Sequence, residues 1–183
     1  MDRIRERLIQ DVGRQYARFG HSELLGRVVG VLMCASAPMT EEAIAQELGV
    51  SKSPINQITT RLEELNVVRR IRLPGDRKYY YEFPATAFLQ AGANLARLYE
   101  ENLHIADTHL RALLPLFEEA TGEEKEALRP VCERLVEMRE YWRHIGSMYT
   151  RFLAEWRVER TSLPSVEEYA RTMEDPVSLL TKV

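Results

Sequence analysis

Cysteine is almost missing from this chain: Cys34 and Cys132 are the only two in 183 residues. They lie far apart, each inside a periodic apolar segment and without Cys-x-x-Cys spacing, so the sequence offers no zinc-ligand pattern, dithiol pair or disulfide framework. Both are expected to be small buried hydrophobes of a reducing compartment. No apolar run approaches membrane-spanning length, and the amino terminus is charged from its second residue (Asp2, Arg3, Arg5, Glu6, Arg7). The expectation is therefore a cytoplasmic protein with no membrane partner. Catalytic signatures are missing too: there is no Gly-x-Ser-x-Gly, no His-Glu-x-x-His and no Gly-rich nucleotide fingerprint. Gly26 and Gly30 stand four apart, but no Gly-Lys-Ser/Thr follows them. His104 and His109, five apart, fall on different faces of a helix and make no ligand pair. No enzyme activity, metal or cofactor is expected.

What is present is enough apolar sequence, 45%, to bury a core, and an uneven distribution of charge. The net charge of -3 divides into 13 Lys/Arg against 11 Asp/Glu over residues 1–84, and 12 against 17 over 85–183. From Ser51 to Lys78 there are seven basic residues and three acidic ones. A basic patch in one part and an acidic, solvated or partner-facing part elsewhere suits a protein that meets nucleic acid locally.

Periodicity supplies the elements. Ile4, Leu8, Val12, Tyr16 and Phe19 form one stripe of an amphipathic helix that ends at Gly20. Ser22 is placed to cap a second helix, nearly all apolar through Leu32, in which Gly26 and Gly30 permit close approach of a neighbour. Thr40 caps a short helix with Ala43, Ile44 and Leu48 inward, and Gly49 suits its left-handed stop. Ser51 caps the next, with Pro54 tolerated in the first turn, and Ile55, Ile58, Leu62 and Leu65 buried. These two short helices make a helix-turn-helix. Val67–Leu73 and Lys78–Phe83 flank the turn sequence Pro74-Gly75-Asp76-Arg77 and predict a β-hairpin.

Beyond Ala85 the pattern changes to seams. Leu89, Gly92, Ala96, Tyr99, Leu103, Ala106, Leu110, Leu113 and Phe117 alternate by three and four, and Leu128, Val131, Leu135, Met138, Trp142, Ile145, Tyr149, Phe152 and Trp156 repeat the rhythm after Thr121-Gly122. Two long antiparallel helices follow, with Pro115 and Pro130 expected to kink or interrupt them near the turn. Ser165 with Glu168 fits a capping box for a last short helix, stopped at Asp175-Pro176. The fold expected is mainly α: an amino-terminal helix and winged helix-turn-helix with a two-stranded β-wing over 1–84, and long helices forming a dimerisation hairpin over 85–183.

Reading DNA requires donors and acceptors on a protruding helix, with cations beside it. Ser51, Ser53, Asn56, Gln57 and Thr60 supply the former, Lys52 and Arg61 reach phosphate, and Arg72, Arg77 and Lys78 arm the wing. In the second region, Leu103, Leu110, Trp142, Tyr149, Phe152 and Trp156 are candidates for the dimer interface or for an apolar effector pocket. Aromatics at this spacing more often simply pack. Cys34 sits in the most apolar helix with no cation near it in sequence, which disfavours a reactive thiolate.

The run Leu48-Gly49-Val50-Ser51-Lys52-Ser53, followed by Thr60-Arg61-Leu62, Val67-Val68-Arg69-Arg70 and Pro74-Gly75-Asp76-Arg77-Lys78-Tyr79-Tyr80, resembles the MarR superfamily, and its GbsR-like branch in particular. The resemblance covers roughly residues 20–84. It implies a homodimeric transcription regulator with one winged helix per subunit, binding a pseudo-palindromic operator in double-stranded DNA, with an affinity that answers to a small-molecule effector. Members of that family place the amino-terminal helix in the dimer interface, whereas the longer seam here follows the wing. Pro54 stands where a small residue such as Gly is usual. The competing expectation is a winged-helix protein-interaction module without sequence-specific DNA binding. Such a surface would carry aromatic or Met anchors where Asn56 and Gln57 stand.

Overall fold

The computed structural model describes residues 2–172. They fall into two units, one ending at Leu98 and the other beginning at Tyr99. The first holds α1 (Asp2–Arg18), α2 (Glu23–Met33), α3 (Glu41–Leu48), α4 (Lys52–Glu64), β1 (Arg69–Ile71), β2 (Tyr80–Glu82) and the start of α5 (Ala87–Glu119). Its core gathers Val28, Val31, Ile44, Ile55, Leu62 and Val68, so α2 is the central helix, as its nearly continuous apolar sequence predicts.

α1 lies against α2 at unusually short range. A Cβ on Gly26 would stand 2.8 Å from the Val12 carbonyl oxygen and 2.9 Å from the Gly13 Cα, and one on Gly30 would stand 2.9 Å from the Ile9 Cα. This contact shifts the buried ridge of α1 away from the expected stripe. Ile9 and Gly13 are buried and Val12 and Tyr16 are half-buried, while Ile4 and Phe19 remain 77% and 73% exposed and Leu8 is also exposed. Apolar spacing weighs side chains only, so it misses an approach centred on glycine.

Ser22 Oγ accepts from the Leu25 amide at 3.1 Å and Thr40 Oγ1 from Ala43 at 3.2 Å, the two caps expected. Gly49, at φ 66°, ends α3 in the left-handed conformation. Ser51 occupies the cap position of α4 but makes no side-chain capping bond. A capping oxygen accepts from the second or third helical amide, and the third residue here is Pro54, which has none, so only the Ser53 amide is left to it. The hairpin is shorter than its apolar runs suggest, pairing Arg69 with Glu82, Arg70 with Tyr81 and Ile71 with Tyr80. Val67 and Val68 are spent in the core instead. Met39, just before α3, exchanges backbone bonds of 2.9 and 2.8 Å with Tyr81 and fastens the wing to the helix-turn-helix.

In the second unit α5 continues and is followed by α6 (Gly122–Glu159), a 3-10 turn (Arg160–Ser162) and α7 (Val166–Thr172). α5 and α6 run antiparallel: Tyr99 stacks on Trp142, Arg139 Nε donates to Asp107 Oδ1 at 2.6 Å, and Arg129 and Lys125 lie over the Phe117 ring. Neither Pro115 nor Pro130 interrupts its helix. Both are exposed, as are Arg111 and Glu126 one turn earlier, so the carbonyls that lose an amide partner face solvent. On α6 most of the expected seam, from Leu128 and Leu135 through Trp142 and Tyr149 to Trp156, is half-buried, while Val131 and Phe152 are 40% and 50% exposed and their neighbours Cys132 and Leu153 are buried in their place. Ser165 and Glu168 form the capping box reciprocally, at 2.9 and 3.2 Å. The expected stop at Asp175-Pro176 lies outside the described residues. Among the described residues no helix is long and apolar enough to cross a membrane.

Candidate nucleic-acid interface

α4 divides cleanly into two faces. Ile55, Thr59 and Leu62 are buried, with Ile58 and Leu65 half-buried beside them. Lys52, Ser53, Asn56, Gln57, Thr60 and Arg61 are all exposed, as is Ser51 before them. About two and a half turns of hydroxyl, amide and cationic side chains are thus held out on a helix whose other side is anchored in the core.

These polar residues are not equally free. Lys52 Nζ lies 2.7 Å from Glu42 Oε1 and 3.6 Å from Glu41 Oε2, and Arg61 pairs with Glu64 at 3.0 Å. The Lys52 hydrogen bond, with help from the backbone, holds the Glu42 carboxyl at about 2 and pushes the Lys52 ammonium above its ordinary value. Asn56 Nδ2 donates to Glu41 Oε1 at 3.0 Å. Ser53, Gln57 and Thr60 have no side-chain partner among the described residues.

Glu41 is the residue that sequence reasoning missed. It is 8% exposed, and one oxygen receives Asn56 Nδ2 at 3.0 Å, the Tyr81 hydroxyl at 2.9 Å and the Thr59 hydroxyl at 3.2 Å. One buried carboxylate therefore ties α3 to α4 and to the wing. Burial above all pushes the Tyr81 phenol above its ordinary value, which keeps it the proton donor in this bond. A signal existed in Thr59, a polar residue four after Ile55 and three before Leu62, on the buried line. A buried hydroxyl there requires a partner.

On the wing, Asp76 organises the turn by accepting from the Lys78 amide at 2.9 Å and the Tyr80 hydroxyl at 2.6 Å. Those bonds hold its carboxyl below the ordinary value. Arg69 is bound to Glu82, and Arg70 to Glu63 at 3.0 Å. Arg72 donates to the Tyr79 hydroxyl at 2.6 Å and lies over its ring. Arg77 and Lys78, at the tip, are exposed, and their side chains form no salt bridge among the described residues, although the Lys78 charge acts on Asp76 through space.

Of the aromatic candidates in the second unit, Trp142 and Tyr149 both pack on Tyr99, at ring separations of 5.5 and 5.4 Å. Leu110 is buried, Leu103 and Trp156 are half-buried, and Phe152 is exposed with its ring against Tyr149. The rings fill the space between the helices with one another. A separate apolar cavity of about 230 Å³ opens in the first unit, lined by Val12, Tyr16, Val29, Met33, Phe83 and Phe88 among others. Cys34 is half-buried, not buried as expected, because it stands at the end of α2 where the helix leaves the core; Cys132 is buried, and both are free thiols. His104 and His109 are exposed, and no metal-binding cluster occurs among the described residues.

Comparison with known proteins places this geometry among regulators. YvaV of Bacillus subtilis, named as a candidate HTH-type transcriptional regulator, is 22% identical over 160 residues, covering 85% of this chain and 90% of that protein. The HTH-type transcriptional repressor OpcR of the same organism is 24% identical over 157 residues, 84% of each chain. The crystal structure of a transcriptional regulator superposes with a TM-score of 0.70 at 22% identity, covering 84% of this chain and 97% of that one. That likeness establishes the winged-helix fold. No protein-family model matches the chain.

Proposed function

We propose that this protein is a DNA-binding transcription regulator of the MarR type, close to the GbsR-like branch, acting in the cytoplasm as a homodimer on a pseudo-palindromic operator. The observation that carries the reading is the exposed face of α4. Ser53, Gln57 and Thr60 make no side-chain hydrogen bond among the described residues, beside a wing tip whose Arg77 and Lys78 side chains form no salt bridge there. In a folded protein this much hydrogen-bonding capacity is otherwise given to water; a major groove offers it base edges and flanking phosphates. Asn56, Lys52 and Arg61 extend the same face, and Ser51 and Arg72 border it.

Homodimerisation accounts for apolar side chains that the long helices leave uncovered. Ile105 and Leu116 on α5 and Met148 and Phe152 on α6 are 47%, 55%, 52% and 50% exposed. A two-fold partner would cover them and present two reading helices to successive major grooves, about 34 Å apart. For a small-molecule effector, the apolar cavity beside Tyr16 and Phe83 is a better vessel than the Tyr99–Trp142 cluster, whose rings already occupy one another.

The test is a binding competition between the DNA flanking the protein's own gene and a random duplex, at two salt concentrations. A preference for the former that survives added salt supports sequence reading. Equal binding to both, or none, leaves the protein-interaction module as the better description.

A further inference from the structure

We infer that Glu41 is a specificity-determining positioning residue: it fixes the orientation of the Asn56 amide, so that the base read by Asn56 must carry an exocyclic amino group. The inference rests on the proposed reading of DNA by α4, and deepens it.

An ionised carboxylate has acceptors only, and the side-chain amide of asparagine has a donor end and an acceptor end that are nearly identical in shape. Left alone on an exposed helix, such an amide rotates and offers either end. Asn56 is exposed on the outer face of α4, but its amide stands 3.0 Å from Glu41 Oε1. Facing that oxygen, only Nδ2 makes a bond; Oδ1 in its place would set two acceptors against each other. The orientation is dictated by the chemistry of the partner and does not depend on telling nitrogen from oxygen by shape.

Glu41 is itself hard to move. It is 8% exposed, carried on the first turn of α3, and held by the Tyr81 hydroxyl at 2.9 Å from the wing and the Thr59 hydroxyl at 3.2 Å from the buried side of α4. Tyr81 is locked in turn by its paired backbone bonds to Met39. Lys52 Nζ, 3.6 Å from the other oxygen, keeps a positive charge beside the carboxylate. The atom of Asn56 left without a partner among the described residues is Oδ1. In the major groove an acceptor meets a donor only at adenine N6 or cytosine N4, whereas guanine O6 and thymine O4 oppose it. If the second Nδ2 hydrogen also reaches N7, adenine is preferred over cytosine. The same residue that joins wing to helix thus decides amino against keto at one base position in each half-site.

The experiment is selection from a randomised duplex pool by the full-length wild type, Asn56→Ala and Glu41→Gln, followed by sequencing of the bound fraction. The position whose preference vanishes in N56A is the one Asn56 reads, and the wild type should favour A or C there. In E41Q the new amide can donate or accept, and the Tyr81 and Thr59 hydroxyls can accept from it as well as donate to it, so the acceptor facing Asn56 is no longer obligatory and its amide can turn over. Amino-over-keto discrimination at that one position should fall about tenfold toward parity, the other positions remaining as in the wild type. A uniform loss of affinity with every preference retained would mean that Glu41 only supports the fold, and overturns the proposal. So does a wild-type preference for G or T at the position sensitive to N56A. Should E41Q lose its cooperative thermal melt, the wild type compared with N56A still decides through the identity of the preferred base. A wild type that enriches no sequence removes the DNA reading and this inference with it, whereas a clear operator unchanged by E41Q removes only the role of Glu41.

Discussion

Lys52 and Glu42 face each other across the junction of α3 and α4, ammonium nitrogen to carboxylate oxygen at 2.7 Å. On the proposed reading of DNA by α4, the cation best placed to meet a phosphate is already engaged, and DNA would have to displace Glu42 to take it. Glu42→Gln should tighten binding to every duplex severalfold without changing sequence preference, and Lys52→Ala should weaken it less than loss of an unengaged cation would. Glu42 titrates at about 2 in the folded protein against an ordinary 4.5, so the pair's contribution to stability is complete above pH 4.5 and is lost as pH falls through about 2. The E42Q effect on DNA should accordingly be flat across neutral pH. Anisotropy titrations of both variants at several salt concentrations check this, and an unchanged E42Q would place Lys52 away from the phosphates.

The winged helix was legible because its signals are local: caps at Ser22 and Thr40, the left-handed Gly49 and the turn from Pro74 to Arg77 each act within a few residues. What escaped was set by distance. Glu41 lies 15 residues from Asn56 and 40 from Tyr81, and only the packed fold joins them. The α1 stripe failed because Gly13, Gly26 and Gly30 define the contact by having no side chain, which apolar spacing cannot count. On α6 the alternation of three and four held at Leu135, Trp142 and Tyr149, and slipped by one residue only at Val131 and Phe152, where Cys132 and Leu153 are buried instead. A period of 3.6 drifts against a three-four alternation, and sequence alone does not say where the line steps across.

The glycine contact yields a stability prediction. A methyl group on Gly26 would meet the backbone of α1 at 2.8 and 2.9 Å, atoms that cannot move without moving the helix. Gly26→Ala should destabilise the protein by about 1–3 kcal/mol despite its better helix propensity, because the overpacking outweighs the propensity gain of ~1 kcal/mol. Urea denaturation of the two proteins measures it, and a stabilised G26A would mean that α1 does not pack as described.

On the wing, Arg72 and Arg77 should behave differently. Arg72 is bound to Tyr79 by a hydrogen bond of 2.6 Å and ring contact, while Arg77 at the tip has no such tie. Arg77→Gln should reduce the slope of log affinity against log salt by about one unit per subunit, with the thermal melt unchanged. Arg72→Gln should act first on the order of the wing, lowering hydrogen-exchange protection around Tyr79. Equal salt slopes for wild type and R77Q would take the wing tip out of the DNA contact.

The uncovered apolar side chains make assembly testable. Ile105→Glu places a charge on α5 at a position 47% exposed, where an isolated chain tolerates it at little cost. Within a two-fold interface the same charge is buried twice, without a partner. Sedimentation velocity should show the wild type as a dimer at micromolar concentration and I105E shifted strongly toward monomer, with far-ultraviolet circular dichroism unchanged. A wild type that sediments as a monomer contradicts the homodimer.

Gln57 and Asn56 are neighbours on the same exposed face, yet they should fail differently when removed. Gln57 has no side-chain partner among the described residues and no charge, so Gln57→Ala should leave the melt, the non-specific affinity and the salt slope as they are. It should lower discrimination at one base position by roughly 1–3 kcal/mol, the worth of a good bidentate pair. Asn56→Ala deletes base contact and a donor to the buried Glu41 together. It should therefore also lose about 1 kcal/mol of stability, the net worth of one hydrogen bond, since the Tyr81 and Thr59 hydroxyls still donate to the same oxygen. Competition binding and urea denaturation on the same preparations separate the two. If both variants keep the wild-type sequence preference, α4 is not the element that reads DNA, whatever its stability shows.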